Sequence, residues 1–267
     1  PGNDKYGLSN TTKIVSGYTK SCSQIGQYLY SIICNSVYGV SNLKTAEFTK
    51  LLENIYRSVN IGLINELKML CDKMGVDIFE AIEAAKTKPF GYQPFYPGPG
   101  LGGHCIPIDP YYLTWKAKEY SFNTRFTELS AQINDGMPSY VVEKMNFSLN
   151  SKNKNFSNSK ILILGMAYKK NIGDTRESPF WKIIELLKNY NSKISVHDPC
   201  VINFKNFIDK KIKILKHLEY SELNKYDLIV LLTDHDNFDY AKIKSYSNLI
   251  LDTRGRYKPD NIKVFRS

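Results

Sequence analysis

Residues 42–74 hold a helical period without interruption. Leu51, Leu52, Ile55, Val59, Leu63, Leu67 and Leu70 recur at i, i+3, i+4 spacing, and Gly75 follows as a stop. At ~1.5 Å rise per residue the rod is roughly 45–50 Å long. A helix of that length needs partners along its apolar stripe, so the pattern predicts a helical core or the spine of a dimer. A second helix is predicted over 78–85. Regular structure then stops, because Pro89, Gly91, Pro94, Pro97, Gly98, Pro99, Gly100, Gly102 and Gly103 crowd one short segment. Helices are predicted again over 111–120 and 126–149.

Before the long helix lie a predicted strand over 12–19, a helix over 21–34 and a short strand over 37–40. Two strands and one helix cannot close a core alone, and the first residue is Pro1 rather than Met. The first four residues read as loop, and 1–40 is expected to be the end of a domain whose beginning is absent. Residues 148–160 are rich in Asn, Ser and Lys and read as a linker. Beyond them apolar strands (161–164, 194–196, 228–232, 249–251) alternate with helical stretches such as 179–190. That alternation predicts a parallel sheet covered on both faces. The expected organisation is therefore α/β, with units at 1–40, 41–148 and 149–267.

Composition narrows the function classes. With 267 residues, 42% hydrophobic and 13% aromatic, the chain has material for real cores and is not a mainly disordered one. The net charge of +10 invites a nucleic-acid reading. The lysines are scattered, however, with no basic stripe interleaved with aromatics and no zinc-finger or RNA-binding signature, so no nucleic-acid partner is expected. No apolar run approaches a membrane span, and five irregularly placed cysteines (22, 34, 71, 105, 200) do not suggest a disulfide framework. The expectation is a cytoplasmic protein that binds a small anionic ligand and no metal.

Three segments carry candidate chemistry. In Gly98-Pro99-Gly100-Leu101-Gly102-Gly103-His104-Cys105-Ile106-Pro107-Ile108-Asp109-Pro110 the glycines let a ligand approach the backbone, and freed N–H groups can cradle phosphate oxygens. A cysteine at the end of such a loop, near a helix start, is placed to act as a nucleophilic thiolate, as covalent catalysis at a carbonyl requires. The competing reading is a buried Cys packing as a small hydrophobe, which is retained for the other four cysteines. His104 either tunes the thiol or caps a turn. Lys50 and Asn54, one turn apart on the long helix, share a face and can donate to a developing oxyanion, or are a solvated pair. After the first strand of the α/β part, residues 165–179 occupy the place of a Rossmann βα turn, with His197-Asp198 ending the second strand. The G-x-G-x-x-G fingerprint is missing there, and Lys169 and Arg176 instead suggest cationic contacts to phosphates.

These motifs come in a recognisable order: Lys50-Leu51-Leu52-Glu53-Asn54, Lys88-Pro89-Phe90-Gly91, the cysteine loop, Tyr111-Tyr112-Leu113-Thr114-Trp115-Lys116, Asp174-Thr175-Arg176-Glu177-Ser178-Pro179, Thr233-Asp234-His235-Asp236 and Leu251-Asp252-Thr253-Arg254-Gly255. The series resembles the nucleotide-sugar 6-dehydrogenase family, closest in pattern to its UDP-N-acetylglucosamine 6-dehydrogenases, over nearly the whole chain.

The resemblance implies two Rossmann-like domains joined by a long helix that forms a homodimer. The first, which binds NAD, is represented here only by its remnant; the second binds the UDP part of the substrate. It implies two hydride transfers to NAD, four electrons in all, oxidising the C6 alcohol of a UDP-N-acetyl-sugar to a carboxylate for surface polysaccharide synthesis. By motif, Cys105 would form a thiohemiacetal and then a thioester, Lys50 and Asn54 would stabilise the oxyanion, and Asp109 would position the water or the base. Tyr96, Gly98, Gly100, Leu101, Gly102 and Gly103 would line the substrate, Lys169 and Arg254 would contact the UDP-sugar, and Arg176 would reach NAD. Ile108 replaces the Lys that precedes this Asp in the UDP-glucose branch, which favours the N-acetyl branch over UDP-glucose. Lacking the glycine fingerprint, the chain is expected to be a fragment with little activity alone. The alternative is a non-catalytic UDP-sugar-binding and dimerisation module.

Overall fold

The computed structural model describes residues 5–202 and 212–267; the loop expected over 1–4 lies outside them. By contacts the chain divides into two units, 1–57 and 58–267, the division falling within one helix.

In the first unit, β1 (Lys13–Val15) and β2 (Val37–Gly39) pair in parallel, connected by α1 (Lys20–Ile33). Thr19 caps α1, its side chain accepting the Cys22 N–H. The strand expected over 12–19 is shorter because Ser16 to Thr19 turn the chain into this cap. No residue of α1 is buried, and Ile25, Leu29 and Ile32 are exposed.

The long helix, α2 (Leu43–Met74), closes where Gly75 takes φ +70° and Val76 N–H bonds back to the Cys71 carbonyl. Its buried side differs from the one the leucines predict. Leu52, Leu63 and Leu70 are exposed, while Ser58, Asn65 and Lys68 are buried, and Gly62 lets the backbone of α2 approach Ser130. Helical period locates a face but does not say which face packs; here the inward one is mixed, with Ile64 and Leu67 packed on Ile78, Phe79 and Ile82 beside the polar residues.

The second unit continues with α3 (Ile78–Lys86), α4 (Asp109–Lys118) and α5 (Arg125–Asn150). A six-stranded sheet follows, made of β3 (Lys160–Leu164), β4 (Lys193–His197), β5 (Ile212–Ile214), β6 (Leu228–Leu231), β7 (Ile250–Asp252) and β8 (Val264–Arg266). Its order is β5-β4-β3-β6-β7-β8 and every pairing is parallel. Helices α6 (Pro179–Leu187) and α7 (Tyr240–Tyr246) and a 3-10 turn at Tyr220–Lys225 complete it.

Alternation along β3 divides the core. Ile161 and Ile163 face Val141, Met145 and Leu149 of α5 and Phe180, Ile183 and Leu187 of α6. Leu162 and Leu164 face Leu223, Phe238, Ile243 and Tyr257. Each of these fully buried aliphatic side chains contributes about 1.5–3 kcal/mol. The stretch expected to be a linker is therefore no free connection. α5 runs on to Asn150 with its apolar face in the sheet's core, and Phe156, 4% exposed, stacks on Tyr190 at 4.5 Å. Among the described residues no helix is long and apolar enough to cross a membrane.

Candidate active site

In parallel α/β sheets, loops beyond the carboxyl ends of the strands form the ligand crevice where strand order reverses. Here the reversal lies between β3 and β6, and the turns after β3, β6 and β7 carry Tyr168, Thr233 and Arg254.

The glycine-rich loop is held from below by buried amides. Asn65 on α2, 0% exposed, accepts the Gly98 N–H at 3.0 Å and donates to Asn134 Oδ1 on α5 at 2.9 Å. Asn134 donates in turn to the Ser58 carbonyl at 3.0 Å. Pro138, one turn along α5, has no N–H to give the Asn134 carbonyl, and Gly100 (φ +126°) nests there, its Cβ position 3.2 Å from that oxygen.

From above, the loop meets the turns of the sheet. A Cβ on Gly98 would lie 3.0 Å from Arg254 Nη1, and one on Gly103 (φ +92°) would lie 3.0 Å from the Tyr168 ring. Gly103 N–H bonds the Arg176 carbonyl at 3.0 Å. Arg254 is itself anchored: Nε donates to the Leu232 carbonyl at 2.7 Å and its backbone N–H to Asp252 Oδ1 at 2.8 Å. Its Nη1 is thus left beside Gly98. Of the residues expected to bind substrate, Gly98, Gly100, Gly102, Gly103 and Arg254 come together, and Leu101 lines the adjoining cleft. That cleft, of about 820 Å³, is also lined by Gly100, Pro107, Arg176, Glu177 and Trp181.

Cys105 is a free, half-buried thiol, not one sealed in apolar packing. Its carbonyl accepts the N–H groups of Ile108 (3.0 Å) and Asp109 (2.8 Å), so it stands just before α4 with Asp109 in the helix's first turn. Two residues before Cys105, Gly103 bonds the Arg176 carbonyl, which places the loop beside the turn after β3. Arg176 forks onto Asp174, with Nε at 3.0 Å and Nη2 at 2.6 Å, and holds that carboxyl below its usual range. This is the Arg expected to reach NAD, and its side chain stays exposed at 62%.

Lys50 and Asn54 belong to the first unit; Lys50 is exposed, and Asn54 is buried with its Oδ1 accepting from Arg57 Nη2. Lys169 is exposed one residue past Tyr168. Tyr96 donates to Glu83 Oε1 at 2.5 Å, and Lys86 bonds the same carboxylate at 3.2 Å.

The turn after β3 is filled by the protein itself. Asp198 Oδ2 accepts the Met166 and Ala167 N–H groups at 2.6 and 2.9 Å and His235 Nε2 at 3.1 Å; Oδ1 accepts from Cys200 and Val201. Burial alone would raise this carboxyl, but the His235 bond and the two amides pull it down to about 2. Those amides are the ones a dinucleotide's pyrophosphate would need. Gly165 is a glycine because Thr233 stands 2.4 Å from its Cβ position, not to admit a phosphate. Asp198, Cys200 and His235 lie close enough to suggest a metal cluster. However, His235 Nδ1 accepts the Asn171 N–H at 2.9 Å, so the proton sits on Nε2 and both ring nitrogens are committed. Sequence reasoning missed the Asn65–Asn134 pair and Tyr168; the available signal was amides recurring on the inward side of two helices.

Residues 44–136 match the UDP-glucose/GDP-mannose dehydrogenase family, central domain, and residues 162–259 match the same family's UDP binding domain. A UDP-N-acetyl-D-mannosamine dehydrogenase of Methanococcus vannielii is 35% identical over 95% of this chain and 58% of its own length. A UDP-N-acetyl-D-glucosamine 6-dehydrogenase of Pseudomonas aeruginosa is 35% identical over 75% of this chain and 47% of its own. The solved UDP-D-ManNAc dehydrogenase of Pyrococcus horikoshii superposes with a TM-score of 0.82 at 29% identity, covering 97% of this chain and 60% of that one. The chain thus spans about three-fifths or less of the length of these relatives.

Proposed function

Because this chain belongs to the UDP-glucose/GDP-mannose dehydrogenase family, we propose that the protein oxidises the C6 alcohol of a UDP-N-acetyl-hexosamine to the carboxylate, with NAD as acceptor, for surface polysaccharide synthesis. The relatives named for N-acetyl-amino-sugar nucleotides support the substrate class. The observation that carries the reading is the seating of the Cys105 loop on the UDP-binding turns, with Gly98 against Arg254 and Gly103 against Tyr168.

In this reading Arg254 Nη groups and the amides of the glycine loop hold the diphosphate, with Lys169 adding charge at the rim. Tyr168, braced against Gly102 and Gly103, fixes the distance between diphosphate and thiol. Cys105 Sγ bonds to C6 at the aldehyde level, its proton leaving as the carbonyl oxygen takes the electron pair; the resulting thiohemiacetal, once oxidised, is a thioester that water opens, returning the thiol. Asp109, four residues on, orients that water. Lys50 and Asn54 supply the oxyanion donors, and the homodimer forms along α2.

NAD supplies the two-electron acceptor when bound. The turn after β3 does not fit it, since Asp198 already takes the Met166 and Ala167 amides.

The test is NADH formation with UDP-N-acetylglucosamine, UDP-N-acetylmannosamine and UDP-N-acetylgalactosamine. It compares this chain with a chimera that adds the part of the Methanococcus vannielii relative preceding its central domain. Turnover by the chimera that Cys105→Ala abolishes supports the reading. A chimera that binds UDP-sugar yet forms no NADH with any of the three overturns it in favour of a binding module.

A further inference from the structure

A second cavity of about 550 Å³ opens between the α2–α3 turn, α5 and β8, and shares no lining residue with the cleft beside Cys105. One wall is charged. Lys68, 2% exposed, and Lys144 both pair with the single carboxylate of Asp72, to which Tyr140 also donates. Arg266 grips Asp77 through Nη1 at 2.7 Å to each oxygen, gives Nε to the Tyr257 carbonyl at 2.7 Å and lies over the Phe79 ring at 4.8 Å. Asp77 is in turn committed as the cap of α3, accepting the Phe79 N–H at 3.0 Å.

Three cations therefore line this wall against two carboxylates. They feel one another: burial lowers the Lys68 ammonium first, and the positive fields of Lys144 and Arg266 lower it further. Donors are left over as well. Lys144 gives one of its three N–H groups to Asp72, and Arg266 Nη2 has no hydrogen-bond partner among the described residues. Apolar side chains line the same cavity, Val76, Ile78, Phe147 and Phe265, with Lys144 Nζ 5.8 Å from the Phe147 ring and the two rings meeting edge to face at 5.9 Å.

We propose that this cavity is a binding site for a phosphomonoester carrying an aromatic or apolar group. A group of about −1.5 to −2 charge with three acceptor oxygens takes up the excess positive charge and the unused donors of Lys144 and Arg266. The remainder of the ligand covers Phe147 and Phe265. A carboxylate offers one charge and two oxygens to the same wall and leaves donors unspent. The volume suits a small molecule rather than a lone ion.

The probe is phenyl phosphate, titrated calorimetrically into the whole chain, with inorganic phosphate and phenol as its two halves. Saturable binding of phenyl phosphate at least ~10-fold tighter than that of either half is expected. Lys144→Gln should weaken it at least ~10-fold, and Phe147→Ala, which removes the ring under Lys144 Nζ but none of the wall's ion pairs or hydrogen bonds, should bring it down to the level of inorganic phosphate. UDP affinity should be unchanged in both variants. Absence of saturable binding, binding untouched by both substitutions, or displacement of phenyl phosphate by UDP overturns the proposal. Binding that fades as protein concentration rises also overturns it, because a second copy of the chain then fills the cavity.

Discussion

A Cβ on Gly102 would stand 2.3 Å from the Cβ of Tyr168 and 3.0 Å from the Glu177 carbonyl. The cysteine loop and the turn after β3 can therefore meet only if residue 102 has no side chain. Gly102→Ala must push the two apart, since the obstructing atoms are next to backbone rather than at a flexible tip. UDP affinity measured by calorimetry should fall at least ~10-fold, and adding Tyr168→Gly should recover part of it. Unchanged affinity in Gly102→Ala would remove the loop from the diphosphate site.

The Asn65 amide bridges the loop and α5, and both of its partners are buried. Asn65→Ala strands the Gly98 N–H and the Asn134 side-chain oxygen together. Stranded buried groups cost about 1–3 kcal/mol each, so urea denaturation should register a loss of about 2–4 kcal/mol. A loss under about 1 kcal/mol would mean that solvent reaches these groups.

Asp198 makes stability depend on acid. Its carboxyl is held at about 2 in the folded chain against an ordinary value of 3.8, so the unfolded chain binds the proton more readily. Its contribution, about 2 kcal/mol, is fully present above the unfolded value near pH 4 and is lost as pH falls toward 2. Asp198→Asn should be destabilised at pH 7 and show a flatter stability profile between pH 4 and 2. Parallel profiles for the two proteins would contradict the assignment.

Much of the architecture was legible because it rests on periods. The uninterrupted apolar residues of β3 and β6 announce a sheet covered on both faces, and Gly75 ends α2 through the left-handed turn it alone adopts easily. The packing side of α2 was only partly legible: Ile64 and Leu67 pack on α3, but Asn65 is buried because the loop and α5 give it partners, and Lys68 because Asp72 on the same helix pairs with it. The polar stretch at 148–160 misled for the converse reason, since Leu149 and Phe156 suffice to dock it. At the site, the glycines were read as freedom to approach a ligand. Gly102 and Gly103 are also needed for approach to Tyr168, a tertiary contact that no local pattern reports.

The proposed chemistry requires that the Cys105 thiol look into the pocket that holds the UDP-sugar. The direct measurement is the rate at which iodoacetamide alkylates Cys105, followed by peptide mass spectrometry with and without saturating UDP-N-acetyl-hexosamines. The half-buried thiol should react when the site is empty, be protected by at least one of the three sugar nucleotides, and lose that protection in Arg254→Ala. Alkylation at the same rate under all of these conditions would put the thiol outside that pocket and contradict the proposed function.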